Sequence, residues 1–228
     1  MTSCGEDPEG NPSRAAGRRR MVAEQLTAPG RDIRDARVLR AMEQVPRHEF
    51  VPAELRACAY DDRPLPIGHE QTISQPYIVA FMSEQLALRP TDRVLEIGSG
   101  SGYQAAVLSR LVAEVYSIEI VEELAARAAG ELQRLCCNNV FTRAGDGHRG
   151  WPEQSPFDAV IVTCAPEEIP EPLVTQLKES GRMIIPVGPN GGVQELFLLE
   201  KRAGRIEQRA VLPVRFVPMT RKQGPVGR

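Results

Sequence analysis

The 228-residue sequence lacks any apolar run that approaches the ~20 residues a helix needs to cross a bilayer, so we expect no membrane association. It also lacks a surplus of either charge, because 28 basic and 30 acidic residues leave a formal net charge of −2. A protein that binds polyanions non-specifically needs a basic surplus to displace counterions from phosphate groups. The charge balance therefore predicts no nucleic acid among the partners.

Cysteine and histidine are sparse as well, with five and three residues and no CxxC pair. A structural zinc site takes about four nitrogen or sulfur ligands at short paired spacings, so we expect no metal site. The odd number of cysteines, two of them adjacent at positions 136 and 137, does not suit a disulfide framework. No apolar stretch follows the arginines at 18–20, so we expect a cytoplasmic protein without a secretory or twin-arginine signal.

The composition is that of one globular domain, with 42% hydrophobic and 25% charged residues. The first residues are rich in Gly, Pro and Ser, which predicts a disordered tail over residues 1–13 and a single domain over 14–228. We divide this domain into an N-terminal cap at 14–88, a central core at 89–192 and antiparallel strands at 193–222. Within the cap, apolar spacing predicts helices at 14–26, 35–45 and 76–88, with a long polar loop at 60–75.

From residue 93 onwards, short apolar runs alternate with helical patterns. Strands that are apolar on both faces and separated by helices indicate a parallel sheet covered on both sides. We therefore predict an α/β fold with a doubly wound, mostly parallel sheet, an N-terminal helical cap and antiparallel C-terminal strands. The predicted strands span 94–97, 115–118, 140–142, 157–162, 182–187, 195–200 and 205–214, and the predicted helices 103–111, 121–135 and 171–178.

A glycine-rich segment, VLEIGSGSGY at residues 94–103, lies where the first of these strands gives way to a helix. Glycines at such a turn allow positive φ and a close approach of a ligand to backbone N–H groups. The spacing is GxGxG, not the GxGxxG of the dinucleotide fingerprint, and Glu96 stands within the strand before the turn. A plain strand-to-helix turn is the alternative interpretation.

Two further loops follow the next two predicted strands. Glu119 stands 21 residues beyond Gly98, where a carboxylate can hold both hydroxyls of a ribose; the alternative is an acid favoured by a helix N-terminus. The GDG sequence at 145–147 offers Asp146 as an acceptor for an adenine amino group, although GDG alone is only a turn. Three such loops at the ends of successive strands are hard to explain as turns, so together they favour a nucleoside site.

The three loops resemble those of the class I S-adenosylmethionine-dependent methyltransferases, which have a Rossmann-like fold. The resemblance narrows to the bacterial protein-L-isoaspartate O-methyltransferase family over roughly residues 21–222, and QTIS at 71–74 is its most specific part. Three places depart from that family: Glu70 stands where glycine is usual, Ser99 stands where threonine is common, and Cys136-Cys137 follow a helix that often ends in glycine. The other matching segments are PLPIG at 64–68, GWP at 150–152, PFD at 156–158 and VRFVP at 214–218.

The resemblance implies methyl transfer from S-adenosylmethionine, leaving S-adenosylhomocysteine, to the side-chain carboxylate of L-isoaspartyl residues in damaged proteins and peptides. The methyl ester then cyclises to a succinimide, which starts repair. A carboxylate with a pKa of about 4 is already ionised at pH 7, so alignment and not a general base would drive the reaction. We expect a monomer. By resemblance, Ser74 is catalytic, the substrate loop includes Gln71, Thr72 and Ile73, and the cofactor contacts Glu96, Gly98, Ser99, Gly100, Gly102, Glu119, Ile120, Asp146, Gly147 and Thr220.

Several alternatives stay open at this stage. Ser74 is also well placed to cap the helix predicted from Pro76. A nucleic-acid base methyltransferase commonly carries an Asn/Asp-Pro-Pro-aromatic tetrad after its fourth strand, but residues 163–166 read TCAP and offer no aromatic ring to stack on a flipped base. A small-molecule methyltransferase or a catalytically inactive binding module of the same fold also fits the three loops.

Overall fold

The computed structural model describes residues 12–221, and its main feature is a seven-stranded sheet. The strands are β3 (Arg93–Ile97), β4 (Glu114–Glu119), β5 (Val140–Ala144), β6 (Phe157–Val162), β7 (Leu177–Val187), β8 (Gln194–Arg202) and β9 (Arg205–Val214). Their order is β5-β4-β3-β6-β7-β8-β9, with parallel pairing from β5 to β7 and antiparallel pairing of β8 with both neighbours. The predicted doubly wound, mostly parallel fold with antiparallel C-terminal strands is confirmed.

Helices cover both faces of the sheet. They are α1 (Pro12–Met21), which continues as a π-helix over Val22–Leu26, α2 (Ala36–Gln44), α3 (Pro76–Gln85), α4 (Tyr103–Leu108), α5 (Glu122–Arg134) and α6 (Glu171–Thr175). Val94 of β3 packs in one hydrophobic cluster with residues of α2 to α5, whereas its neighbour Leu95 packs in a second cluster with Leu173 of α6. Successive strand residues point to opposite faces, so burial of both faces explains the continuous apolar runs.

The connection after β3 creates the crevice in which a ligand can lie. The chain runs outward from β3 through β4 to β5 and then returns to the other side of β3 as β6. Helices that follow neighbouring strands therefore leave in opposite directions at this point. In open α/β sheets, ligands bind at the carboxyl ends of the strands beside such a reversal, which here means the ends of β3 and β6.

The predicted loop at 60–75 instead contains a two-stranded antiparallel sheet, β1 (Leu65–Gly68) paired with β2 (Gln71–Ile73). Two prolines and a glycine obscured the pattern in the sequence, yet the buried residues Leu65, Ile67 and Ile73 anchor the hairpin. His69 and Glu70 at its turn have φ of 52° and 56°. A hairpin turn with positive φ at both central residues favours glycine, which gives a physical reason why Glu70 is an unusual choice.

Two other predicted boundaries were wrong. The helix predicted at 171–178 ends at Thr175, because Leu177 already pairs with Phe157 as the first residue of β7. The first helix begins at Pro12, two residues earlier than expected, and the rest of the predicted N-terminal tail lies outside the described residues. Among residues 12–221, no helix is long and apolar enough to cross a membrane, and no group of three or more His, Cys, Asp or Glu side chains is placed to hold a metal ion.

Candidate active site

A cavity opens at the carboxyl ends of β3, β4 and β6, where the crevice was expected. Eleven of the fourteen residues proposed from sequence line it. The three that do not are Glu96, Gly102 and Asp146. The eleven lining residues are Gln71, Thr72, Ile73, Ser74, Gly98, Ser99, Gly100, Glu119, Ile120, Gly147 and Thr220.

Residues 98–101 of the glycine turn line the cavity. Gly98 has a φ of +96°, and a Cβ atom added there would lie 2.6 Å from Thr163 Oγ1, so a side chain fits neither the backbone nor the space. The backbone N–H groups of its three glycines are not free, however. The backbone N–H of Gly98 donates to Ile118 O (2.8 Å), that of Gly100 to Glu119 Oε2 (2.7 Å) and that of Gly102 to Ser99 O (2.7 Å). The glycine N–H groups are therefore used within the fold, and the missing side chain of Gly98 makes room for Thr163.

Gly102 packs between two helices and does not line the cavity, so its assignment to the cofactor stays a prediction. It precedes α4 with a φ of +90°, and a Cβ there would lie 3.3 Å from Ala128 Cβ of α5. A side chain would push α4 away from α5, which explains the third glycine of the motif without a ligand.

Glu119 lies at the end of β4 with only 6% of its surface exposed, and that surface faces the cavity. Its Oε2 accepts from Gly100 N–H at 2.7 Å and its Oε1 from Val121 N–H at 3.0 Å. An ionised carboxylate has about four acceptor lone pairs, so each oxygen keeps one for a ligand hydroxyl. The two backbone bonds fix the carboxylate in place, and its proximity to the start of α5 agrees with the helix interpretation as well.

Glu96 is fully buried beneath the turn and does not line the cavity, so a contact of this residue with the cofactor stays a prediction. Its Oε2 accepts a short hydrogen bond from Ser117 Oγ, which in turn lies 2.5 Å from Ser99 Oγ. Burial, partly opposed by the hydrogen bond from Ser117 and aided by the charge of Glu119, raises the pKa of Glu96 to about 8. Glu96 can therefore reach the cavity only through the two serines.

Asp146 lies beside the cavity and uses its carboxylate locally. Its Oδ1 accepts from His148 N–H at 3.0 Å and lies 3.1 Å from His148 Nδ1, so it caps the short 3₁₀ helix Gly147–Arg149. It lines a neighbouring cleft that shares Pro218, Met219 and Thr220 with the cavity. The structure thus brings Gly147 to the cavity wall and places Asp146 at its edge, where contact with an adenine amino group stays a prediction.

Ser74 lies between β2 and α3, and it does not cap that helix. The N-cap residue of α3 is Gln75, which makes no side-chain capping bond, and Ser74 Oγ has no hydrogen-bond partner among residues 12–221. Ser74 lines both the cavity and an adjoining groove, and Thr72, Thr163 and Val217 do the same. A hydroxyl without an internal partner at the junction of two cavities is available to a ligand on either side.

The hairpin that carries Ser74 is held from two directions. Arg127 of α5 donates to Ile67 O of β1 at 2.6 Å. The Gln75 amide donates to Asp62 Oδ2 at 2.8 Å, and the same oxygen accepts from Arg31 at 2.8 Å. These bonds connect the hairpin to α5 and to the N-terminal segment, so they fix the backbone on both sides of Ser74.

Sequence reasoning missed the other eleven residues that line the cavity. Thr163 and Cys164 follow β6, and burial raises the pKa of the Cys164 thiol well above its usual range, which keeps it protonated. Residues 217–219 reach the wall because Ala165 N–H donates to Val217 O and Met219 N–H to Ala165 O, both at 2.8 Å. The full set of additional lining residues is Val79, Ile97, Ser101, Tyr103, Gln104, Ile118, Thr163, Cys164, Val217, Pro218 and Met219.

Comparison with known proteins finds one matching family and relatives that are similar over most of the chain. The sequence profile described as protein-L-isoaspartate(D-aspartate) O-methyltransferase matches residues 18–224. Protein-L-isoaspartate O-methyltransferase of Opitutus terrae is 56% identical over 206 residues, which are 90% of this chain and 88% of the relative. The protein of the same name from Gloeobacter violaceus is 54% identical over 203 residues, covering 89% of this chain and 98% of the relative.

Solved structures give the same relationship. A protein-L-isoaspartate O-methyltransferase structure superposes with a TM-score of 0.81 at 34% identity, covering 92% of this chain and 67% of that one. A Plasmodium falciparum structure from the same group, solved in complex with S-adenosyl-L-homocysteine, gives a TM-score of 0.78 at 27% identity and covers 90% of this chain and 99% of that one.

Proposed function

The chain belongs to the protein-L-isoaspartate(D-aspartate) O-methyltransferase family, and we propose that its two adjoining cavities divide this family's reaction between them. The enzyme transfers a methyl group from S-adenosylmethionine to the side-chain carboxylate of L-isoaspartyl residues in proteins and peptides. In our proposal the cavity at the carboxyl ends of β3, β4 and β6 takes the cofactor, and the adjoining groove takes the peptide. Ser74 lies where the two meet.

The residues of the first cavity fit such a cofactor. Gly98 has no side chain, so Thr163 can pack against the turn, and both residues line the cavity. Glu119 keeps an acceptor site on each carboxylate oxygen for the two hydroxyls of a ribose. When bound, S-adenosylmethionine supplies a methyl group on a positively charged sulfonium, which is the electrophile.

The chain's own residues then have a modest chemical task. The acceptor carboxylate is ionised at pH 7, so no side chain has to remove a proton from it. We assign to the Ser74 hydroxyl the donation of a hydrogen bond to this carboxylate, which fixes one oxygen and directs the other towards the cofactor cavity. Such orientation turns an encounter of two reactants into an effectively unimolecular step. Thr72 and Thr163, which also line both cavities, help to exclude water from the junction.

The groove beyond Ser74 suits a peptide segment. Its walls combine apolar side chains, among them Ile78, Val193 and Phe216, with the cation of Arg215. Val193 is one of the large hydrophobic residues that the structure leaves exposed, at 53%. An apolar surface next to a polar junction can bind residues flanking the isoaspartate while the carboxylate enters the junction.

We further propose that the enzyme works as a cytoplasmic monomer on proteins and peptides, not on nucleic acid. The net charge is close to neutral, which does not suit non-specific binding to nucleic acid. Within the described part of the chain, Cys58, Cys137 and Cys164 form no disulfide, which suits a reducing compartment.

The single observation that carries the proposal is the position of Ser74 at the junction of the cavities. The decisive experiment offers the purified enzyme labelled S-adenosylmethionine together with an isoaspartyl peptide or its aspartyl twin. We expect methyl ester on the isoaspartyl peptide and almost none on the twin. Equal labelling of both peptides, or labelling of nucleic acid alone, would contradict the assignment.

A further inference from the structure

A buried carboxyl group is connected to the cofactor cavity through two hydroxyl groups. Glu96 of β3 is 0% exposed, and its Oε2 accepts a short hydrogen bond from Ser117 Oγ of β4. Ser117 is itself fully buried, and its Oγ lies 2.5 Å from Ser99 Oγ. Ser99 lines the cavity. The other carboxyl oxygen, Oε1, has no hydrogen-bond partner among residues 12–221.

The hydrogen bonds along this chain of hydroxyls can run in either of two donor-to-acceptor orders. When Glu96 is ionised it only accepts, so Ser117 donates to it and Ser99 donates to Ser117. The lone pairs of Ser99 then face the cavity. When Glu96 is protonated it can donate to Ser117, the order reverses, and Ser99 directs its hydrogen towards the cavity. The ionisation of Glu96 therefore decides whether Ser99 presents an acceptor or a donor to a ligand.

On the basis of the function proposed above, we propose that Glu96, Ser117 and Ser99 form a hydrogen-bond relay that couples binding of S-adenosylmethionine to release of a proton from Glu96 to solvent. The cofactor carries a sulfonium cation and an ammonium group against one carboxylate, so it binds better where the wall offers acceptors and negative charge. S-adenosylhomocysteine lacks the sulfonium charge and gains less from an ionised Glu96. The relay thus favours the methyl donor over the spent product.

The groups around Glu96 make its ionisation sensitive to a positive charge in the cavity. Glu119 on β4 is the titratable neighbour whose charge acts on it and raises its pKa. On β6 the residue beside it is Ile161, and from α4 it is faced by the backbone of Ala105, which lowers the pKa slightly. Among the described residues, no lysine or arginine contributes. A cation arriving in the cavity therefore meets Glu119 directly and Glu96 only through the two serines.

The sign of the effect follows from linkage. Burial raises the pKa of Glu96 to about 8, so the carboxyl is mostly protonated at pH 7 in the free enzyme. A bound cation lowers this pKa, and the proton is released when the cofactor binds. Because the bound state then holds fewer protons, affinity for S-adenosylmethionine rises with pH between the lowered pKa and about 8, and levels off above it.

Calorimetric titration at pH 7 in two buffers of different ionisation enthalpy counts the protons directly. For the wild-type enzyme we expect release of about 0.5–1 proton per S-adenosylmethionine bound, and a smaller number for S-adenosylhomocysteine. The ligand's own α-amino group, with a pKa of about 8, also titrates, but it does so equally in every variant. The informative quantity is therefore the difference between wild type and Glu96→Gln.

In Glu96→Gln we expect this release to disappear, and the gain in affinity between pH 6.5 and 8 to become smaller by about three- to tenfold. Ser117→Ala keeps the carboxyl but interrupts the relay, so it should also lose the release at pH 7; it serves if the Gln variant does not fold. Ser109→Ala, a serine at the end of α4 outside the cavity, is the matched control and should behave as wild type.

Equal proton counts in wild type and Glu96→Gln, or an unchanged count in Ser117→Ala, would overturn the relay while leaving the methyltransferase assignment intact. A purely structural role for Glu96 would lower the melting temperature without altering the proton count. A wild-type enzyme that bound neither cofactor would instead contradict the cofactor site, and the relay with it.

Discussion

Replacement of Glu119 tests the cofactor site most directly. The carboxylate is held by two backbone N–H groups, of Gly100 at 2.7 Å and Val121 at 3.0 Å, and it lines the cavity. It therefore has two separable tasks: it completes the glycine turn, and it offers acceptors to a ligand. Glu119→Ala removes both tasks. Glu119→Gln keeps one acceptor oxygen, but its NH₂ group must face one of the two backbone N–H groups.

The two variants should differ measurably in the ligand affinity that they lose. Loss of a charge-assisted, bidentate pair of hydrogen bonds to a ribose should cost about 2–4 kcal/mol of binding free energy, or roughly thirty- to a thousandfold in affinity. Glu119→Gln should lose on the order of tenfold, since one neutral hydrogen bond of about 1 kcal/mol survives. An unsatisfied buried N–H costs about 1–3 kcal/mol, so we also expect the Ala variant to unfold at a lower temperature.

Calorimetric titration with S-adenosylhomocysteine, together with thermal denaturation, measures the two effects separately. Glu123→Ala is the matched control, because Glu123 is an exposed acid in the first turn of α5. It should cost about 0.3–1 kcal/mol of stability through the helix dipole and leave affinity unchanged. If Glu119→Ala bound the ligand as tightly as wild type while only its stability fell, Glu119 would be a helix-start residue and the ribose assignment would be refuted.

Two further substitutions test the remaining parts of the site. Ser74→Ala should lower turnover on an isoaspartyl peptide about ten- to a hundredfold, because a hydrogen bond to a charged group contributes about 1.5–3 kcal/mol. Its cofactor affinity should stay near that of the wild type. An unchanged rate would remove Ser74 from the mechanism. Gly98→Ala places a Cβ 2.6 Å from Thr163 Oγ1 at a φ of +96°, so we expect at least about 1–3 kcal/mol less stability and a more than tenfold loss of cofactor affinity. Gly130→Ala in α5, where a Cβ meets nothing within 4 Å, is its control and should be neutral or slightly stabilising; equal behaviour of the two glycine variants would contradict the steric argument.

The sequence predicted those parts of the fold and site that depend on local pattern. Apolar runs separated by helical periods are sufficient to indicate a covered parallel sheet, and the loops that follow its strands must then meet at one edge. Gly98, Glu119 and Gly147 were found in this way. Their meeting depends on strand order, which the alternation of elements largely determines.

The parts that were missed depend on tertiary contacts that a local pattern does not contain. The hairpin β1–β2 forms because Leu65, Ile67 and Ile73 are buried by the sheet domain, although its sequence is rich in turn residues. The internal bonding of the glycine turn, and the burial of Glu96 beneath it, depend on β4 lying alongside. Residues 217–219 line the cavity only because they pair with Ala165, more than fifty positions earlier.

That pairing has a consequence for synthesis of the enzyme. The Gln194 side chain accepts from Phe216 N–H at 2.8 Å, and the segment continues past Ala165 to close one wall of both cavities. A ribosome makes this wall after all seven strands described here. The nascent chain can assemble the seven described strands, up to Val214, and still lack part of the cavity proposed for the cofactor. We therefore expect the cavity to be completed only after the strands are made, and cleavage after Val214 to remove part of its wall while sparing those strands.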